Sequence, residues 1–151
     1  MPMSASKALG HSDSCGFEFA LEMLDGDDTA GINFDRLQKH PQYGYIIFEY
    51  LRCKETQPNV NPYTSHPNRY WHRNKNKFIA LKEVADTMNA TLYLVNYARR
   101  GTKHEDKVLL IKVLQIDPNK GIVDEEKIQF TRATFKEWFR NLNRECLSPR
   151  E

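Results

Sequence analysis

The chain has 151 residues, of which 40% are hydrophobic and 28% are charged, the composition of one soluble globular domain. Seven glycines and seven prolines exclude a fibrous or low-complexity protein. No apolar run approaches the roughly 20 residues of a membrane span, so no membrane partner is expected. Residues 1–35 carry one Lys against seven Asp or Glu, whereas the remainder carries 21 Lys or Arg against 13 Asp or Glu. Such an acidic segment beside a basic body is typical of a metal-dependent phosphodiesterase, and solvated surface charge gives the same counts.

The first elements of the chain are an arm, a helix and a short strand. Residues 1–13 are small, polar and without pattern, which predicts a flexible N-terminal arm. From Cys15 the apolar residues recur at three- and four-residue spacing, and this helix ends at the break formed by Asp25 and Gly26. Residues 31–37 then form a short candidate strand.

A central strand, a loop and a second helix follow. Residues 45–53 are apolar or aromatic on both alternating faces, as in the middle of a sheet. Residues 54–76 contain three prolines and no periodicity, which is typical of a functional loop. The apolar residues of 78–88 share one helical face.

The last elements are two strands and a helix. Residues 91–98 and 107–116 read as strands, and the final helix opens with a capping box at Thr134. We therefore predict a single α/β domain over residues 14–147, with a mixed central sheet of about four to five strands flanked by helices.

Glu49 is the most informative residue of the sequence. It lies in the apolar strand, where side chains alternate between the two faces, and it shares one face with Ile47 and Leu51. Burying a carboxylate without a partner costs several kcal/mol, so Glu49 must meet a cation, a metal or a hydrogen-bond network, or stay protonated. A salt bridge to a neighbouring Lys or Arg and a metal site both satisfy this requirement.

Two more acids could belong to the same site. Asp35 lies at the end of the preceding short strand, and if the two strands pair, its carboxylate converges with that of Glu49. Close carboxylates repel unless a divalent cation lies between them. Glu18, in the first helix, forms an unfavourable i,i+4 pair with Glu22 unless a positive group is near; the alternative is an exposed surface residue.

In their order and setting these acids resemble the PD-(D/E)XK nuclease superfamily, which has an acid on the first helix, an acid on one strand and E-x-K on the next. Glu18, Asp35 and Glu49 stand at the matching positions, and the resemblance covers residues 14–117. It implies a restriction-endonuclease-like fold and an enzyme that hydrolyses DNA phosphodiester bonds. It also implies Mg²⁺, or Mn²⁺ in its place, held by Asp35 and Glu49, with Glu18 as a further catalytic acid.

The lysine of the E-x-K motif is missing, because its position holds Leu51. Arg52 alternates to the other face, and Lys54 lies past the strand. The resemblance then implies that a lysine from the following helix, Lys77 or Lys75, orients the attacking water. A site that no lysine reaches would indicate a binding protein on a nuclease-like scaffold.

A basic segment over residues 66–82 contains aromatic residues and no acid. Cationic side chains contact phosphates, and interleaved aromatic rings can stack on bases. The predicted nucleic-acid contacts are Arg69, Trp71, Arg73 and Lys75, together with Arg99 and Arg100 at the tip between two strands. The alternative is a solvated loop with Trp71 in the core.

Two classes of function stay open. The first is a Mg²⁺-dependent endonuclease, which at this size would have to form a homodimer to cut both strands of DNA. The second is a non-catalytic module that binds nucleic acid or protein, for example a viral inhibitor. A purely structural subunit would have no acid cluster.

The cysteines and the N-terminus indicate the compartment. Cys15, Cys53 and Cys146 are too few and too widely spaced for a disulfide framework, and none has zinc-site spacing. The first residues lack the order of a secretory signal. We therefore expect a cytoplasmic protein in a reducing compartment, of prokaryotic or viral origin.

Overall fold

The computed structural model describes residues 14–54, 56 and 59–147, and the chain divides after Ile32 into two compact units. The described part of the first unit contains helix α1, Ser14–Leu24, which ends at Asp25 and Gly26, both with positive φ. This agrees with the predicted helix. The arm predicted over residues 1–13 lies outside the described residues.

The second unit contains a five-stranded sheet and confirms the predicted α/β class with a mixed sheet. The strands are β1 (Arg36–His40), β2 (Gly44–Arg52), β3 (Thr91–Tyr97), β4 (Lys107–Asp117) and β5 (Gly121–Thr131). They lie in the order β1-β2-β3-β4-β5; β2 and β3 are parallel, and the other neighbours are antiparallel.

Two helices of the second unit cover opposite faces of the sheet. Helix α2, Trp71–Met88, follows the short 3₁₀ turn Pro67–Tyr70 and packs on one face; helix α3, Arg132–Leu147, packs on the other. The apolar residues of β2 alternate between the two cores, as expected for a strand that is apolar on both faces. None of the helices in the described part of the chain is long and apolar enough to cross a membrane.

Several element boundaries differ from the sequence prediction. The first strand begins at Arg36, later than expected, because pairing with β2 extends from Arg36 opposite Phe48 to His40 opposite Gly44. The sequence does not predict strand β5, because the residues in the middle of this strand are charged and mostly exposed. It is a strand because it pairs with β4 along its length.

Both predicted helix starts were too late. Helix α2 begins at Trp71, inside the predicted loop, so that its polar first turns carry the basic residues of that segment. Helix α3 begins at Arg132 because Thr131 caps it: the Thr134 N–H donates to Thr131 Oγ1 at 3.1 Å, and the Thr131 N–H donates to Thr134 Oγ1 at 2.9 Å.

Candidate active site

Glu49 is buried in the middle of β2, on the sheet face that α2 covers. Its residue exposure is 5%, and its strand neighbour Ile47 on the same face is fully buried in the core beneath α2. The strand is held from both sides, because β1 and β3 pair with it. The pairing of β2 with its two neighbours therefore fixes the backbone of Glu49 in the sheet.

Lys77 meets this carboxylate from helix α2. Its Nζ lies 2.7 Å from Glu49 Oε1, and 47% of its side chain is exposed. The next residue in the helix, Phe78, is buried in the core and fixes this turn against the sheet. The expected lysine thus reaches Glu49 from the following helix rather than from the position of Leu51, and the same contact is also the expected salt bridge.

Asp35 lies next to the same point of the sheet. Its N–H donates to Phe48 O at 3.2 Å, and its Oδ2 accepts the N–H of Tyr50 at 2.8 Å. These two bonds tie Asp35, which directly precedes β1, to the backbone of the residues on either side of Glu49. Asp35 thus lies close enough to Glu49 for its negative charge to act on that carboxylate.

The environment raises the pKa of Glu49 above the ordinary value of 4.5. Burial is the main cause, and the negative charge of Asp35 adds to it, whereas the hydrogen bond and charge of Lys77 and, to a smaller extent, the backbone N–H of Asp35 oppose it. Among the described residues none gives a hydrogen bond to the other carboxylate oxygen, Oε2, although that atom is buried. A single lysine therefore does not fully satisfy this carboxylate.

These residues fit a hard divalent cation. A buried carboxylate oxygen without a partner, beside a second carboxylate, is a donor set that Mg²⁺ uses, since this ion is often bound by one or two carboxylates and completes its shell with water and phosphate. Within residues 14–54, 56 and 59–147 there is no group of three or more His, Cys, Asp or Glu side chains that could hold a metal. Asp35 and Glu49 would thus be the two protein ligands.

Glu18 belongs to the first unit, where its side chain is exposed on α1. The role of Glu18 as a third acid stays a prediction.

Part of the predicted nucleic-acid surface lines a cavity of about 310 Å³ at the start of α2. Arg69, His72 and Arg73 contribute to it from the basic segment, and Lys120 contributes from the β4–β5 turn. The first turn of α2 contains no acid, so its N–H groups add to the positive potential. Since Arg73 and Lys77 are four residues apart, this cavity and Glu49 are linked along one face of α2.

The structure corrects the prediction for Trp71. Its residue exposure is 4%, its ring stacks on Phe78 with centroids 6.0 Å apart, and its Nε1 donates to Pro118 O at 2.9 Å. A ring used in this way packs the core and has no face left for a base. Tyr70, 48% exposed, is the aromatic residue that the segment presents outward.

The other predicted contacts lie on separate elements. Lys75 is half-buried in α2, and Arg99 and Arg100 are exposed at the turn between β3 and β4. The structure does not bring this turn into the cavity at the start of α2.

Sequence reasoning missed Lys120 because it is distant in the chain from the basic segment. The two are joined by Asn68, whose side chain accepts the N–H of Ile122 at 2.8 Å and donates to its carbonyl at 3.0 Å. Gly121, with φ of 108°, allows this close approach, since a Cβ there would collide with Asn68. No sequence spacing signals such a contact.

Comparison of the chain with family models, with curated proteins and with solved structures gave no match.

Proposed function

We propose that the protein is a Mg²⁺-dependent endonuclease that hydrolyses DNA phosphodiester bonds through a PD-(D/E)XK-like site. The observation that carries this proposal is the buried carboxylate of Glu49, which is bonded by Lys77 through one oxygen, has no hydrogen-bond partner among the described residues on the other, and lies beside Asp35. Two acids with a lysine are the set that the resemblance to the PD-(D/E)XK superfamily implies for metal-dependent hydrolysis.

Each residue has a role that follows from its position. Asp35 and Glu49 would hold the ion, either Mg²⁺ or Mn²⁺, which when bound supplies Lewis-acid polarisation of the phosphate and lowers the pKa of water. Lys77, half-exposed and hydrogen-bonded to Glu49, orients the attacking water and offsets the negative charge that develops on the phosphate.

The basic cavity at the start of α2 supports DNA as the substrate. Its arginines would contact backbone phosphates, and Arg73 lies one helical turn before Lys77. Cutting both strands requires two such sites, which a cytoplasmic homodimer would provide.

The direct ion pair favours a second candidate function. Lys77 already lies 2.7 Å from Glu49 and partly neutralises it without a metal. A protein that binds nucleic acid or another protein on the same scaffold, without cleavage, would have the same contact.

The deciding experiment measures nicking of plasmid DNA in Mg²⁺ and in Mn²⁺. Wild type should cut, whereas Glu49→Gln, which keeps the volume of the side chain and removes its charge, should lower the rate at least about a hundredfold. The matched control is Glu83→Gln, an exposed glutamate of α2, which should cut like wild type.

Melting curves of the same proteins test the metal separately. Since a ligand that binds only the folded state stabilises it, Mn²⁺ should raise the Tm of wild type relative to EDTA and should not raise that of Asp35→Ala. Wild type that neither cuts nor gains stability from metal would reject the enzyme and favour the binding module.

A further inference from the structure

A second cavity, of about 240 Å³, lies at the ends of the two parallel strands. Cys53 follows β2 and Ala98 follows β3, and both line it. The Cys53 N–H donates to Tyr97 O at 2.8 Å and extends the β2–β3 pairing to this edge. The crevice beyond the carboxyl ends of parallel strands is a common place for ligands in α/β proteins.

The lining of this cavity is basic. Lys54 enters from the end of β2, and Lys103 and His104 enter from the β3–β4 turn. None of the described residues that line it is acidic. The nearest carboxylate in that turn, Glu105, already accepts the N–H of Gly101 at 2.8 Å.

The walls of the cavity are fixed by hydrogen bonds. On one side, buried Asn96 donates to Pro62 O at 3.3 Å and to Ser65 O, and so holds the loop against the sheet. On the other side, Arg132 donates to Ala98 O at 3.0 Å and to Glu105 O at 2.7 Å. A cavity held in this way is preformed, so ligand binding loses little free energy to the ordering of its walls.

The surroundings of His104 are also positively charged. Desolvation lowers the pKa of His104, and the positive charges of Lys107 and Lys103 lower it further. The site thus offers two ammonium groups beside an imidazole whose pKa is lowered, and Asn59 and Asn61 also line it.

We propose that this cavity binds a phosphate monoester, carried either by a small molecule or by the end of a nucleic-acid strand. A dianion with several acceptor oxygens matches the two lysines that line the cavity. The volume lies below the roughly 300–1,000 Å³ of sites for larger ligands, so the recognised part is one small group.

The test uses inorganic phosphate and reads the imidazole of His104 by NMR. A bound anion favours the imidazolium, so phosphate should raise the pKa of His104 in wild type. Lys54→Ala and Lys103→Ala should each weaken phosphate binding about tenfold. Lys136→Ala, an exposed lysine of α3 outside the cavity, should bind like wild type.

Two further arms identify the source of the phosphate. One compares a nucleoside 5′-monophosphate with its nucleoside, and the other compares an oligonucleotide that ends in 5′-phosphate with one that ends in 5′-hydroxyl. Wild type should bind the phosphorylated member of at least one pair more tightly, and Lys103→Ala should lose this preference. The pair that shows the preference identifies the source of the phosphate.

Three results would overturn the proposal: a pKa of His104 that phosphate does not raise, equal losses in Lys103→Ala and Lys136→Ala, or no preference in either pair. Because Lys54 and Lys103 are exposed, unchanged melting temperatures will show that the variants fold. No step of the test needs DNA cleavage, so its outcome is independent of the site at Glu49.

Discussion

Helices cover both faces of the central sheet, but the two faces are chemically different. On the α3 face, Phe48 packs against Tyr93, Trp138 and Phe139, with ring centroids 5.4–6.3 Å apart. The α2 face contains the stacked rings of Trp71 and Phe78 among aliphatic residues, and it also holds two buried polar residues, Glu49 and Asn96. The described part of the chain contains one more buried polar residue, His40, on the edge strand.

The α3 face consists of packing contacts, whereas the α2 face holds the candidate site. Aromatic contacts on the α3 face need no polar partner, so that face can be optimised for packing alone. A carboxylate on the α2 face is costly to bury, and its position next to Asp35 raises that cost. A buried carboxylate whose pKa is shifted by burial and by a nearby charge is a feature of functional sites.

Phe48→Ala should have the largest effect on stability, because Phe48 is fully buried at the centre of the α3 face. We expect the free energy of unfolding to fall by about 3–5 kcal/mol. Urea denaturation measures this loss, and Tyr43→Ala, at a residue that is 67% exposed, is the control. A loss below about 1 kcal/mol would contradict the assigned role of the aromatic core.

Lys77→Met should have the next largest effect, because it leaves the buried carboxylate of Glu49 without its cation. We expect a loss of about 1–3 kcal/mol at neutral pH, since half-exposed Lys77 is already partly solvated. Adding Glu49→Gln should restore most of the loss. Lys75→Met, in the same helix, is the control, and a double variant as unstable as Lys77→Met would show that packing and not charge was removed.

Glu49→Gln should change how stability depends on pH. The folded pKa of Glu49 is raised, so above the ordinary value of 4.5 the unfolded chain loses this proton before the folded one does. The free energy of unfolding of wild type should therefore fall relative to Glu49→Gln as pH rises from 4.5 through the raised pKa, and then level off.

Urea denaturation across this range measures the difference, with Glu83→Gln as a variant for which no such trend is expected. A wild type that instead gains stability over the variant as pH rises would mean that Lys77 outweighs burial.

Arg73→Ala should have the smallest effect of these substitutions, and its effect is on DNA binding. With a control on α3, it tests whether the surface of α2 and not that of α3 contacts DNA. Loss of one phosphate contact should weaken DNA binding and reduce its logarithmic salt slope by about one. Arg140→Ala, on the exposed surface of α3, should leave the slope unchanged. Equal slopes for wild type and Arg73→Ala would remove the α2 surface from DNA binding.

The sequence predicted the α/β class because periodicity is a local property. The alternation in β2 and the helical spacing of 78–88 can each be read within one element. Local pattern could not predict β5, whose charged residues form a strand by pairing with β4. It also could not place the start of α2, where polar residues form the first turns of a helix anchored by Trp71.

For the candidate site, the sequence by itself determined that Glu49 needed a partner, because a carboxylate in a strand that is apolar on both faces cannot be left unsatisfied. Which partner it has was decided by the tertiary structure. Two hydrogen bonds to the backbone of β2 place Asp35 beside Glu49, and the packing of α2 places Lys77 Nζ 2.7 Å from Glu49 Oε1. Both contacts depend on how separate elements are docked, and that docking is set by long-range packing that no local spacing encodes.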